Sequence, residues 1–161
     1  MVSGSVFTVN SGVTATISGM TIQYGQTGNG GNGGGINNSG TLTATNDTIS
    51  GNTAGNGSVG GNGGGIFNNS GTLTATNDTI SNNTAGNGSV GGNGGGIFNG
   101  GGTLTATNDT ISGNTAGYGG GIANSGNLTA TNDTISNNTA GIGIGNFGGN
   151  GGCYTGVDCK D

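Results

Sequence analysis

Proline, tryptophan, histidine, arginine and glutamate are absent from the 161-residue chain, Lys160 is its sole cation, and only 4% of its residues are charged. Each absence removes a class of function. One lysine cannot make the basic stripe that neutralises phosphates, so nucleic acid is not an expected partner. No run approaches the roughly 18 apolar residues of a membrane span. Met1 to Asn10 has neither a basic n-region nor an apolar h-region, so no signal-peptide pattern is visible. No apolar stripe recurs at helical spacing, which rules out a helix bundle. Leu, Ile, Val and Phe number only 27, too few to fill a conventional core. So low a content is typical of disordered chains, but those usually carry dense charge, and this one has a net charge of −5. A folded chain of this kind rests on backbone hydrogen bonds around a thin core, and its length points to one domain.

What is present is small and polar: Gly 44, Asn 26, Thr 25 and Ser 13. They fall into a repeat. Gly40-Thr-Leu-Thr-Ala-Thr-Asn-Asp-Thr-Ile-Ser50 recurs from Gly71, from Gly102 and, with Asn127 for Thr, from Gly126. Ser11 to Ile22 is a looser first copy. Gly-Gly-Gly-Ile precedes each full copy, at Gly33–Ile36, Gly63–Ile66, Gly94–Ile97 and Gly119–Ile122, and Asn-Thr-Ala-Gly follows, ending at Gly55, Gly86, Gly117 and Gly141. A fixed period of this size signals a solenoid, propeller or array. The shortest step reads as the bare unit, and the longer ones carry a loop such as Asn56–Asn62.

Within the unit the apolar period is two. Leu42 and Ala44 alternate with Thr41, Thr43 and Thr45, and Ile49 sits between Thr48 and Ser50. This is strand patterning, with Gly and Asn at the corners. The expected fold is all-β: a right-handed parallel β-helix of about five coils, each with three short strands, stacked at about 4.8 Å. Ile36, Leu42, Ala44, Ile49 and Ala54, with their equivalents, should point inward. The organisation expected is one domain over residues 1–161: an irregular first coil (1–32), four regular repeats (33–141), then a partial coil and Cys-containing tail (142–161).

The Gly-Gly-Gly-Ile tetrad followed by a TLTATNDTIS-like strand pair resembles the right-handed β-helix repeats of bacterial autotransporter passengers and polymorphic outer-membrane proteins, whose tetrad is Gly-Gly-Ala-Ile. The resemblance covers about Val6 to Phe147. It implies a bacterial protein at the cell surface or outside the cell, and is specific for the fold rather than for any activity.

The residues themselves offer little chemistry. Lyases and hydrolases on β-helices need a base or paired carboxylates beside a cationic groove. Here Arg and His are missing and Ser and Thr lack a base, so no enzyme is expected. Asp47, Asp78, Asp109 and Asp133 share one register near the turn after the second strand. Ca²⁺ could bridge adjacent carboxylates there; the reading adopted is a solvated turn, and no cofactor is expected. Two such charges about 4.8 Å apart repel by about 3 kcal/mol at an effective dielectric near 20. The preceding Asn46, Asn77, Asn108 and Asn132 form a parallel column suited to rung-to-rung hydrogen bonds.

Thr41, Thr43 and Thr45, Thr72, Thr74 and Thr76, Thr103, Thr105 and Thr107, and Thr129 and Thr131 should face outward as columns, interrupted at Asn127 and prolonged by Thr14 and Thr16. Such Thr-x-Thr arrays resemble the ice-binding face of solenoid antifreeze proteins. Thr is also simply a good solvent-facing strand residue that pairs well with itself. Phe67 and Phe98 occupy equivalent positions and are read as covering a loop rather than as an exposed patch for a sugar or partner. Cys153 and Cys159 lack the spacing of a zinc site, and a local disulfide closing the tail is expected, which fits an oxidising compartment. The favoured role is a structural or adhesive rod whose open ends stack into filaments, with carbohydrate or a cell surface as further partners; ice binding is the alternative.

Overall fold

The computed structural model describes residues 3–86 and 91–141, together with the backbone of 153–154. The chain winds as a parallel β-solenoid of stacked coils, without helices among the described residues. The first coil has three strands, β1 (Phe7–Val9), β2 (Thr14–Ser18) and β3 (Thr21–Gln23). Four coils of four strands follow. The second contains β4 (Ile36–Asn38), β5 (Thr41–Thr45), β6 (Thr48–Ser50) and β7 (Thr53–Ala54). The third contains β8 (Ile66–Asn68), β9 (Thr72–Thr76), β10 (Thr79–Ser81) and β11 (Thr84–Ala85). The fourth contains β12 (Ile97–Asn99), β13 (Thr103–Thr107), β14 (Thr110–Ser112) and β15 (Thr115–Ala116). The fifth contains β16 (Ile122–Asn124), β17 (Asn127–Thr131), β18 (Thr134–Ser136) and β19 (Thr139–Ala140). A short β20 (Cys153–Tyr154) adds to β16, pairing Ile122 with Cys153.

Equivalent strands stack into four parallel sheets, or faces: β1-β4-β8-β12-β16-β20, β2-β5-β9-β13-β17, β3-β6-β10-β14-β18 and β7-β11-β15-β19. The three strands expected in each coil are present, and in a regular coil Asn-Thr-Ala-Gly adds a two-residue strand of its own. In the first coil only Gln26 reaches that fourth face, as an isolated bridge to Thr53.

Register follows the sequence repeat residue for residue. Leu42, Leu73, Leu104 and Leu128 are successive partners, as are Ile49, Ile80, Ile111 and Ile135. In the three central repeats all five inward positions, Ile36, Leu42, Ala44, Ile49 and Ala54 with their counterparts, are at most 2% exposed. Alternation alone accounts for this, since a slip by one residue would turn the aliphatics to water.

The glycine tetrad has a steric cause. A Cβ on Gly34 would lie 2.5 Å from the Gly64 carbonyl oxygen, and one on Gly35 would lie 2.7 Å from that of Gly65. The strand enters the first face with backbone pressed against backbone from coil to coil, where no side chain fits.

Candidate functional site

The second face is the most regular surface. Its strands present three outward columns: Thr14-Thr41-Thr72-Thr103-Asn127, Thr16-Thr43-Thr74-Thr105-Thr129 and Ser18-Thr45-Thr76-Thr107-Thr131. Thirteen of the fifteen positions are Thr, and none is charged. Thr41, Thr72 and Thr103 are exposed, whereas Thr43, Thr74, Thr105, Thr45, Thr76 and Thr107 are partly covered by their neighbours. Thr129 and Thr131, on the last coil, are exposed. The structure thus brings all the threonines expected on this face together, with Thr14 and Thr16 prolonging two of the columns in register. Parallel pairing spaces hydroxyls and methyls at about 4.8 Å between coils and about 6.6 Å along each strand.

Behind one edge of this face, at the corner leading to the third face, stands the Asp column, and here the solvated-turn expectation is overturned. Asp47, Asp78 and Asp109 are only 1–2% exposed, and Asp133, on the last coil, is partly buried. The preceding Asn46, Asn77, Asn108 and Asn132 take the left-handed conformation (φ 56° to 58°) and stand exposed, which turns the Asp that follows inward. The carboxylates are acceptors for the neighbouring coil. Met20 N–H donates to Asp47 Oδ1, Asp47 N–H to Asp78 Oδ1, Asp78 N–H to Asp109 Oδ1 and Asp109 N–H to Asp133 Oδ1, each at 2.7 Å. The Thr45, Thr107 and Thr131 N–H groups donate to the Oδ2 atoms of Asp47, Asp109 and Asp133 at 3.1–3.3 Å. Asp78 Oδ2 is buried and makes no well-formed hydrogen bond.

Burial pushes the Asp78 carboxyl up to about 6, and the charge of Asp47 adds to the rise while amide donors oppose it. Burial lifts Asp109 to about 7, with Asp78 and Asp133 contributing, and it also raises Asp133. Among the described residues no three Asp, Cys, Glu or His side chains converge as a metal set. A Ca²⁺ ion placed between two of these carboxylates would have to compete with the amides that already hold each Oδ1.

Three asparagine ladders lie outside the columns expected from the sequence. Asn52, Asn83, Asn114 and Asn138 open the Asn-Thr-Ala-Gly motifs, and each of the first three donates Nδ2–H to the next one's Oδ1 at 2.9–3.0 Å. The same oxygens accept the preceding backbone N–H, and Nδ2 also reaches back to a carbonyl, as from Asn83 to Ile49 at 2.9 Å. Asn38, Asn68, Asn99 and Asn124 form a second ladder at 2.7–2.8 Å. Asn32, Asn62 and Asn93 form a third at 2.7–3.1 Å. The rung-to-rung bonding expected of Asn46 and its equivalents belongs instead to these residues. Each of these residues recurs once per unit, as does the column preceding Asp, so recurrence marks both kinds of Asn alike.

Phe67 and Phe98 stack with centroids 5.6 Å apart and planes 7° from parallel. Phe67 is 8% exposed, and a Cβ on Gly100 would touch both rings, so they pack under the turn after β12. That matches a covering role, although the turn covered is not the inserted Gly-rich loop. The expected Cys153–Cys159 disulfide lies outside the described residues.

Compared with family models, with curated proteins and with solved structures, the chain matches none. The class that the geometry defines is a parallel β-solenoid repeat protein.

Proposed function

We propose that the protein is a non-catalytic structural rod that works outside a bacterial cell, presenting flat, uncharged faces to its surroundings. The observation that supports this is where the interior polar groups are spent. The buried Asn side chains, and the Oδ1 of each of the four column carboxylates, hold one coil to the next. What the faces offer is Thr and Ser at strand spacing, suited to adhesion or spacing rather than to chemistry. Stacking of copies end to end belongs to the same reading. Among the described residues β2 and β3 on the first coil, and β17, β18 and β19 on the last, each have one unpaired edge, which favours pairing with another strand. Negative-stain imaging over a wide concentration range tests it: short rods joining into longer ones support the proposal, and single rods at every concentration end the stacking part of it.

A second reading is favoured by the in-register Thr grid. A flat, charge-free array of methyls and hydroxyls five coils long is suited to ordering water in an ice-like layer. Thermal hysteresis or ice shaping is then expected, and Thr105→Tyr, at the centre of the grid, should abolish it while leaving the melting temperature of the protein within about 3 °C. Absence of hysteresis at millimolar protein would reject ice binding.

A further inference from the structure

The Asp column has surroundings that the roles of the outer faces do not explain. Asp47, Asp78 and Asp109 are almost wholly buried, and among the described residues, which hold no Lys, Arg or His, no cationic side chain faces them. On the side of the first coil the column meets Met20. The strands flanking it contribute Thr45, Thr76, Thr107 and Thr131 before the corner and Thr48, Thr79, Thr110 and Thr134 after it, all neutral. Tyr24 and Tyr118, the other titratable side chains among the described residues, lie in other turns of the coil. Among the described residues each carboxylate therefore faces peptide groups, neutral side chains and further carboxylates. Asp78 Oδ2 is shut off from water and makes no well-formed hydrogen bond, and the Thr76 amide offsets the burial of its carboxyl only in part. Charge on that oxygen is costly, whereas a neutral carboxyl in the same place is not.

We propose that this column is a proton-dependent clasp, which binds successive coils more firmly in mildly acidic surroundings than in alkaline ones. A proton belongs on Oδ2 of Asp78, leaving Oδ1 to accept the Asp47 amide. Neutralising alternate members also removes the repulsion between neighbours. The directions of titration agree, with Asp78 raised to about 6 and Asp109 to about 7 from an ordinary 3.8. The folded chain then binds more protons than the unfolded one between those limits, so stability is highest near the lower limit and falls as pH rises through 6 to 7. This is the reverse of ordinary acid denaturation, in which buried carboxylates are ionised and paired.

The experiment is thermal melting of the whole chain, in the presence of a chelator, from about pH 4.5 to pH 8. The melting temperature is expected to fall by roughly 5–10 °C over that range. Asp78→Asn replaces the buried Oδ2 with a neutral group, and it should raise the melting temperature at the alkaline end and flatten the profile. A parent profile that is level or rises with pH overturns the proposal. Carbon-13 titration of the Asp carboxyls in the parent decides the matter even if Asp78→Asn fails to fold. Midpoints for Asp78 and Asp109 near 6 to 7 support the clasp, and midpoints near 4 overturn it.

Discussion

A single asparagine such as Asn83 joins three coils. Its Oδ1 accepts Asn52 N–H at 3.0 Å and Asn52 Nδ2–H at 3.0 Å, while its own Nδ2 donates to Ile49 O at 2.9 Å and to Asn114 Oδ1 at 3.0 Å. Asn83→Ala leaves two buried donors and at least one buried acceptor without partners, at about 1–3 kcal/mol each. We expect a loss of at least about 3 kcal/mol, measured by chemical denaturation, with the parallel-strand signature of the circular dichroism spectrum retained at low temperature. An exposed asparagine such as Asn46, whose part is to hold a left-handed corner, should matter far less. Composition could not separate the two kinds of Asn, because both occur once per repeat. What separates them is whether the following residue continues the strand or turns the corner, and that is a property of the backbone.

At the scale of the element, glycine does two different jobs. Gly64 has no room: a Cβ there would lie 2.5 Å from the carbonyl oxygen of Gly95 and from the carbonyl carbon of Thr84. Gly51 has room but an unusual conformation, φ 63°, shared by Asn82 and Asn137 at φ 55° in later coils. Gly64→Ala is therefore expected to cost about 2–4 kcal/mol through forced separation of coils, and Gly51→Asn to change stability by less than about 0.5 kcal/mol. Paired denaturation curves check the contrast. The strands of the second and third faces were legible from alternation and repetition, and so was every inward aliphatic of the regular coils. The fourth face was not, since two residues, Thr53–Ala54, are too few to show a period. The buried state of Asp47 and its equivalents was also hidden, because a carboxylate in a polar turn reads as solvated until the corner before it is seen to rotate it inward.

Over the described stack, three of the four ladders run one way. In the Asp column and in the Asn38 and Asn52 ladders, N–H groups of one coil donate to side-chain oxygens of the next, whereas in the Asn32-Asn62-Asn93 ladder each later Asn donates to the Oδ1 of the earlier one. The first three series begin at the first coil with residues that have no such oxygen: Val9 in place of Asn38, Met20 in place of Asp47 and Gly25 in place of Asn52. That coil also exposes Val6, Val13 and Met20, and Phe7, Val13, Ala15 and Ile17 line a partly open apolar hollow of about 220 Å³. The two ends of the described stack thus differ in kind: one is apolar, and the other carries the ladder-terminal residues Asn138, Asp133 and Asn124. Joining through apolar ends alone would give pairs of rods, and joining of unlike ends would give open filaments. The imaging experiment is expected to tell these apart by particle length. Repetition implies that coils stack, but the sense in which each ladder runs comes from side-chain bonds between residues about thirty positions apart.

Each internal coil carries both halves of every joint, the donor for one neighbour and the acceptor for the other. Duplication or loss of a whole unit at the level of the gene would therefore leave all remaining joints intact. Such a lineage is free to vary its reach by recombination between near-identical segments, without inventing a new contact each time.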